Sequence, residues 1–124
     1  SGDTYLVMDL HGEASSEKMA FAHCFDGQFS AILGTHTHVP TADSRILPQG
    51  TAYQTDLGMC GDYDSVTGFK KEDAIFRFTR KMKLGSLEPA TGEGSVSAAL
   101  VEVDTITGKA ISIERVVRGP HLSA

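Results

Sequence analysis

Thr4-Tyr5-Leu6-Val7-Met8-Asp9-Leu10-His11-Gly12-Glu13 and Phe29-Ser30-Ala31-Ile32-Leu33-Gly34-Thr35-His36-Thr37-His38 are two apolar runs that each break off at histidine. Neither run carries helical spacing, so Thr4 to Leu10 and Phe29 to Leu33 read as strands, the first of them buried. Each strand opens into a polar loop, Asp9 to Glu13 in one case and Gly34 to Pro40 in the other. Between them, Ser15 or Ser16 can cap a helix, with Glu17 in its first turn complementing the dipole. Met19, Ala22 and Phe25 recur on one face of that helix, and Gly27 is a plausible stop.

Working outward, a turn at Pro48-Gln49-Gly50 precedes a third strand candidate, Thr51 to Leu57. The glycine-containing stretch Gly58 to Gly68 reads as a loop, and its Asp62 and Asp64, with Asp56 just before, read as turn formers. Lys70 to Lys83 has the spacing of an amphipathic helix, with Ile75, Phe78 and Met82 on one stripe and Arg77, Arg80, Lys81 and Lys83 at its basic end. After a loop over Gly85 to Gly94, Val96 to Asp104 and Ala110 to Val117 alternate apolar and polar residues around Thr107-Gly108, a hairpin pattern. Strand, helix, strand, strand, helix and hairpin together predict an α/β domain, a mixed sheet with helices packed on it.

The 124 residues fall in the size range of one domain, and 40% hydrophobic with 22% charged residues is globular composition. A net charge of −5 argues against non-specific nucleic-acid binding, which needs clustered Lys and Arg. It leaves a small phosphate substrate open, since a metal supplies positive charge locally. Cys24 and Cys60 fit no metal or redox spacing and read as buried free thiols, which favours a reducing compartment. No stretch approaches a membrane span and no signal peptide is visible, so the expectation is a cytoplasmic protein. The chain opens at Ser1-Gly2-Asp3 without Met, which leaves open a processed start or a piece of something longer.

Ligands at strand ends converge where neighbouring strands finish side by side. The two loops bring His11, His36 and His38 to such a place, with Asp9, Glu13 and Asp43 nearby. Imidazole binds Zn, Mn and Fe, and a group behind the ring sets its tautomer. In extended chain the two rings of a His-x-His pair point the same way. Gly34 would let the backbone turn tightly and a ligand approach. The pair alone is also compatible with surface histidines. Asp9 and Glu13 could stand behind ligands, start the helix or be solvated; Asp43, with Thr41, could position the loop. His23, within a helix, and His121, in the tail, read as structural or exposed.

The strings Asp9-Leu10-His11-Gly12-Glu13-Ala14-Ser15-Ser16-Glu17-Lys18, Gly34-Thr35-His36-Thr37-His38-Val39-Pro40-Thr41-Ala42-Asp43, Ile46 to Asp56 and Gly61-Asp62-Tyr63-Asp64-Ser65-Val66 carry a longer resemblance. The chain resembles the bacterial YmdB-like family of calcineurin-like metallophosphoesterases along nearly its whole length; Gly12 stands where that family has alanine. The resemblance implies a sandwich of two mixed β-sheets flanked by helices, of which residues 1–124 would be the C-terminal half. It implies a binuclear centre of Mn or Fe, with Zn possible, in which His11 and His36 bind one metal and His38 the other. It also implies hydrolysis of phosphodiesters, 2′,3′-cyclic nucleotides such as 2′,3′-cAMP above all. The remaining ligands and the proton donor would come from an N-terminal half, so no residue of this chain is expected to act as acid or base. That half, or a homo-oligomer, is the implied partner, and the isolated chain is expected to be inactive. Two other readings stand beside it: a mononuclear zinc hydrolase using His11, His36 and His38, and a non-catalytic fragment that docks on a partner half.

Overall fold

The computed structural model describes residues 4–80 and 85–123. The elements run β1 (Val7–His11), α1 (Ser15–Cys24), β2 (Ala31–Thr35), β3 (Arg45–Ile46), β4 (Ala52–Gln54), α2 (Lys71–Arg80), β5 (Val96–Val103) and β6 (Ala110–Arg118). One sheet has the order β1-β2-β4-β3, with the first three strands parallel and β3 antiparallel to β4. It is the mixed sheet that the sequence predicts. The second sheet is the hairpin β5-β6, antiparallel, with a bulge between Glu102 and Val103.

Strand alternation builds a core on each face of the mixed sheet. Ile32 and Tyr53 point toward α1 and join Ala22 and Leu47, with Met8, Leu10, Met19, Phe21 and Phe25 around them. Ala31 and Ala52 point the other way, toward Ala110 of β6, with Leu33, Ile46, Val101 and Ile113 alongside. Small alanines there let the hairpin approach the sheet closely. Full burial of Ile32 and Tyr53 contributes roughly 1.5–3 kcal/mol each. The fold is α/β with two sheets, the architecture of the metallophosphoesterase type.

Several expectations change in detail. Ser15 opens α1 rather than capping it; the cap is Ala14, with no side-chain bond, and Ser16 lies inside. Strand β4 holds only Ala52–Gln54, because the chain from Thr55 leaves the sheet to pack under the histidine loop. The two-residue β3 lies in a stretch read as a connection; it is too short for an alternating pattern. Helix α2 buries none of its described residues, and Ile75 and Phe78 are exposed, Phe78 by 86%. Its stripe faces a cleft with Val66 and not the sheet. Lys81, Met82 and Lys83 lie outside the described residues. Cys24 and Cys60 are free but exposed, since Cys24 follows the buried Ala22 onto the open side of α1 and Cys60 sits in the glycine loop. Among the described residues no helix is long and apolar enough to cross a membrane.

Candidate metal centre

Parallel pairing of β1 with β2 sets His11 opposite Thr35 and Asp9 opposite Leu33. Asp9, His11 and Thr35 therefore share one face at the strand ends. Their hydrogen bonds fix a tautomer. A carboxylate only accepts, so Thr35 Oγ1 gives its proton to Asp9 Oδ1 at 2.8 Å. The hydroxyl oxygen must then accept from His11 Nδ1, 3.0 Å away. Neutral His11 thus carries its proton on Nδ1 and presents a bare Nε2.

That Nε2 faces His36 Nδ1 at 3.1 Å, with the rings edge to face and their centroids 4.8 Å apart. With no proton on the His11 side, His36 Nδ1 is the donor. His38 Nδ1 donates to the Thr67 carbonyl at 2.9 Å. In their neutral forms all three rings carry the proton on Nδ1 and leave Nε2 as a lone pair, the state a metal ligand requires. The 3.1 Å separation of the two nitrogens also suits a shared ion. Two imidazole nitrogens on one metal, at bonds of about 2.0–2.1 Å, lie roughly 3.0–3.4 Å apart. For both rings to hold one ion, His36 would have to give up its Nδ1 proton or turn its ring, since that nitrogen now donates to His11 Nε2. The residues present fit a metal, as part of a ligand set.

The loop that carries His36 and His38 is a bend, not extended strand. His36 has φ 134° and His38 φ 69°, both in the region that favours glycine. Such backbone concentrates at functional sites, where the surroundings enforce it. The bend sends the two rings to different partners, His36 to His11 and His38 to Thr67. Among the described residues no group of three His, Cys, Asp or Glu side chains stands close enough to hold an ion. A three-histidine mononuclear centre is therefore not preassembled there. Glu13, His36, Thr37, His38 and Thr67 line an open cleft of about 310 Å³.

Beneath the loop lies what sequence reading did not find. Lys18, on the buried face of α1 one turn before Ala22, is 2% exposed. Its Nζ donates to the carbonyls of Thr35 at 2.9 Å and Thr55 at 3.1 Å and reaches Asp56 Oδ2 at 3.4 Å. Asp56 is fully buried; its Oδ2 accepts the Thr37 amide at 2.8 Å and its Oδ1 the Gly58 amide at 2.8 Å. Burial pushes the Asp56 carboxyl up, but the Thr37 and Gly58 amides, the Thr37 hydroxyl and the Lys18 charge together hold it below the ordinary 3.8. Asp56 does turn the chain toward Gly58, as expected, yet inside the protein. The one available signal was Lys18 four residues before a core alanine.

Asp43 stands apart from the histidines. It accepts from the Thr41 hydroxyl at 2.6 Å and the Thr55 amide at 3.1 Å, and pairs with Arg45 at 3.5 Å. Desolvation raises its carboxyl, and the Thr41 and Thr55 bonds more than offset that, so it too titrates below 3.8. Gly34 is where backbones meet: a Cβ there would lie 1.6 Å from the Thr55 carbonyl oxygen. His23 and His121 are exposed.

The α/β fold of two sheets is that of a metallophosphoesterase-type chain. More particularly, the chain belongs to the YmdB-like protein family, whose model matches residues 1–116. A Bacillus subtilis (strain 168) protein named 2′,3′-cyclic-nucleotide 2′-phosphodiesterase is 46% identical over 113 residues, 91% of this chain and 42% of that protein. The crystal structure of a hypothetical protein from Thermus thermophilus matches with TM-score 0.84 and 42% identity, over 92% of this chain and 44% of that one. That of a novel phosphatase from Mycoplasma pneumoniae matches with TM-score 0.82 and 42% identity, over 89% of this chain and 39% of that one. The chain spans about two fifths of the length of the relatives it matches.

Proposed function

We propose that this chain supplies part of the active site of a metal-dependent phosphodiesterase acting on 2′,3′-cyclic nucleotides. The observation that carries the reading is the His11–His36 pair, with 3.1 Å between ring nitrogens, in which Thr35 fixes the His11 proton on Nδ1 and so turns the Nε2 acceptor toward His36. The substrate class follows from the name of the Bacillus subtilis relative, whose sequence this chain matches over 91% of its own length.

His11, His36 and His38 would hold two divalent ions, Mn or Fe by preference, as neutral ligands, and would neither give nor take a proton in the reaction. Ions so held supply Lewis-acid polarisation of a phosphoryl oxygen and activation of water. Asp9 and Thr35 hold the His11 ring in its ligating tautomer. The Thr67 carbonyl does the same for His38. Glu13 borders the cleft in which the phosphodiester would lie. The other ligands and the proton donor would come from outside these 124 residues, which match 42% of the length of the Bacillus subtilis relative.

In the complete protein, His36→Ala or His38→Ala is expected to abolish metal-dependent hydrolysis of 2′,3′-cAMP, with loss of bound metal as the cause. Near-normal turnover with either change would sink the assignment.

A further inference from the structure

We propose that Lys18 and Asp56 form a clamp that positions the histidine loop for metal binding. The inference rests on the metal-site reading above and goes beyond it, because neither residue is a ligand. Lys18 Nζ grips the Thr35 carbonyl and Asp56 Oδ2 grips the Thr37 amide. The residue caught between the two grips is His36, with φ 134°. A non-glycine residue leaves that conformation unless its surroundings hold it. Here the hold comes from below, at the peptides on either side of the ring.

The clamp also ties together the elements that meet at the site. Lys18 comes from α1, Thr35 ends β2, and the Thr55 carbonyl that Lys18 also holds follows β4. Its stem runs beneath both glycines of the histidine loops: Cβ atoms built at Gly12 and Gly34 would lie 3.8 Å from Lys18 Cε and 3.3 Å from Lys18 Cδ. Both charges are almost wholly shielded from water, at 2% and 1% side-chain exposure. A buried ion pair is a poor source of stability, since apolar residues of similar volume often serve as well. What apolar residues lack is the ability to hold a carbonyl and an amide two residues apart. The pair is therefore explained by geometry more than by stability.

The test uses the ¹⁵N-labelled complete protein and the double variant Lys18→Met/Asp56→Leu, which removes both grips and leaves no charge buried alone. The fold control is amide-exchange protection at Ile32 and Tyr53, expected to persist. The clamp predicts at least about tenfold loss of protection at Thr37, and His36 imidazole nitrogens that move from the Nδ1–H pattern toward a tautomer average. It also predicts Zn affinity weaker by about 10- to 100-fold, the usual cost of losing a group behind a ligand. Unchanged Thr37 protection, imidazole pattern and affinity would overturn the clamp. If the double variant does not fold, Lys18→Met/Asp56→Ala, which also removes both grips, takes its place with the same expected results. Should the unmutated complete protein bind neither Mn nor Zn, the metal reading falls, while Thr37 protection and the His36 tautomer still decide the clamp.

Discussion

Adding one methyl group at Gly34 and one at Gly12 should have opposite effects, although both glycines flank the histidines. In Gly34→Ala the new Cβ would sit 1.6 Å from the Thr55 oxygen and 2.6 Å from its carbonyl carbon. Both atoms are backbone, so no side chain can swing aside. The separation has to grow to at least 3.0 Å, which means parting the ends of β2 and β4. That displacement disrupts the Leu57 amide to Gly34 carbonyl bond, 2.9 Å, and the Lys18 to Thr55 bond, 3.1 Å. Two hydrogen bonds at about 1 kcal/mol each, with overpacking strain of about 1–3 kcal/mol, give a loss of about 3 kcal/mol or more. For a domain of this length the melting temperature then falls by roughly 10 °C or more. At Gly12 the Cβ meets only Lys18 Cε, at an ordinary 3.8 Å, and the backbone is outside the glycine region. Gly12→Ala should leave stability unchanged or raise it by about 0.4–1 kcal/mol. Thermal unfolding by circular dichroism, the three proteins side by side, reads both. A Gly34→Ala melt within about 2 °C of the unmutated chain, a shift of well under 1 kcal/mol, would refute the steric argument.

Thr35→Val keeps the shape of the side chain but removes the acceptor for the His11 Nδ1 proton. Zn affinity by calorimetry should fall about 10- to 100-fold. Stability should change by less than about 1 kcal/mol, because the lost bond is exposed. Acid should loosen the site before neutral pH does: Asp43 and Asp56 both titrate below 3.8 in the folded chain. Their contribution to stability is present above the ordinary aspartate value and is lost as pH falls through the lower folded values. Chemical unfolding between about pH 6 and pH 3 should show stability declining at the acid end, and Asp56→Asn should flatten that decline.

The strand ends were legible because strands here are written as apolar runs without helical spacing, and the histidines sat where those runs stopped. The first run, read as a buried strand, instead forms the edge strand β1, none of whose residues is buried. The hairpin was legible from alternation, with β5 and β6 within a residue of the expected bounds. Other parts follow from long-range contacts that no local pattern encodes. Thr55 and Asp56 lie in a β-like run, yet Thr55 accepts from Lys18, 37 residues away, and Asp56 holds Thr37, 19 residues away. The expectation that His36 and His38 point the same way assumed extended backbone, and the bend at φ 134° and 69° replaces it. The stripe of α2 has the spacing of a core face, but Ile75 and Phe78 have no sheet behind them in this chain.

The central question is whether His11 and His36 bind a common metal ion. Titrating Zn into ¹⁵N-labelled chain at neutral pH and following the imidazole nitrogens reads that at the atoms concerned. The account predicts that the His11 Nε2 and His36 ring-nitrogen resonances move together and saturate at the same stoichiometry, with His23 and His121 unaffected. Zn that binds without moving either resonance, or that moves His11 and His36 at different stoichiometries, would contradict it.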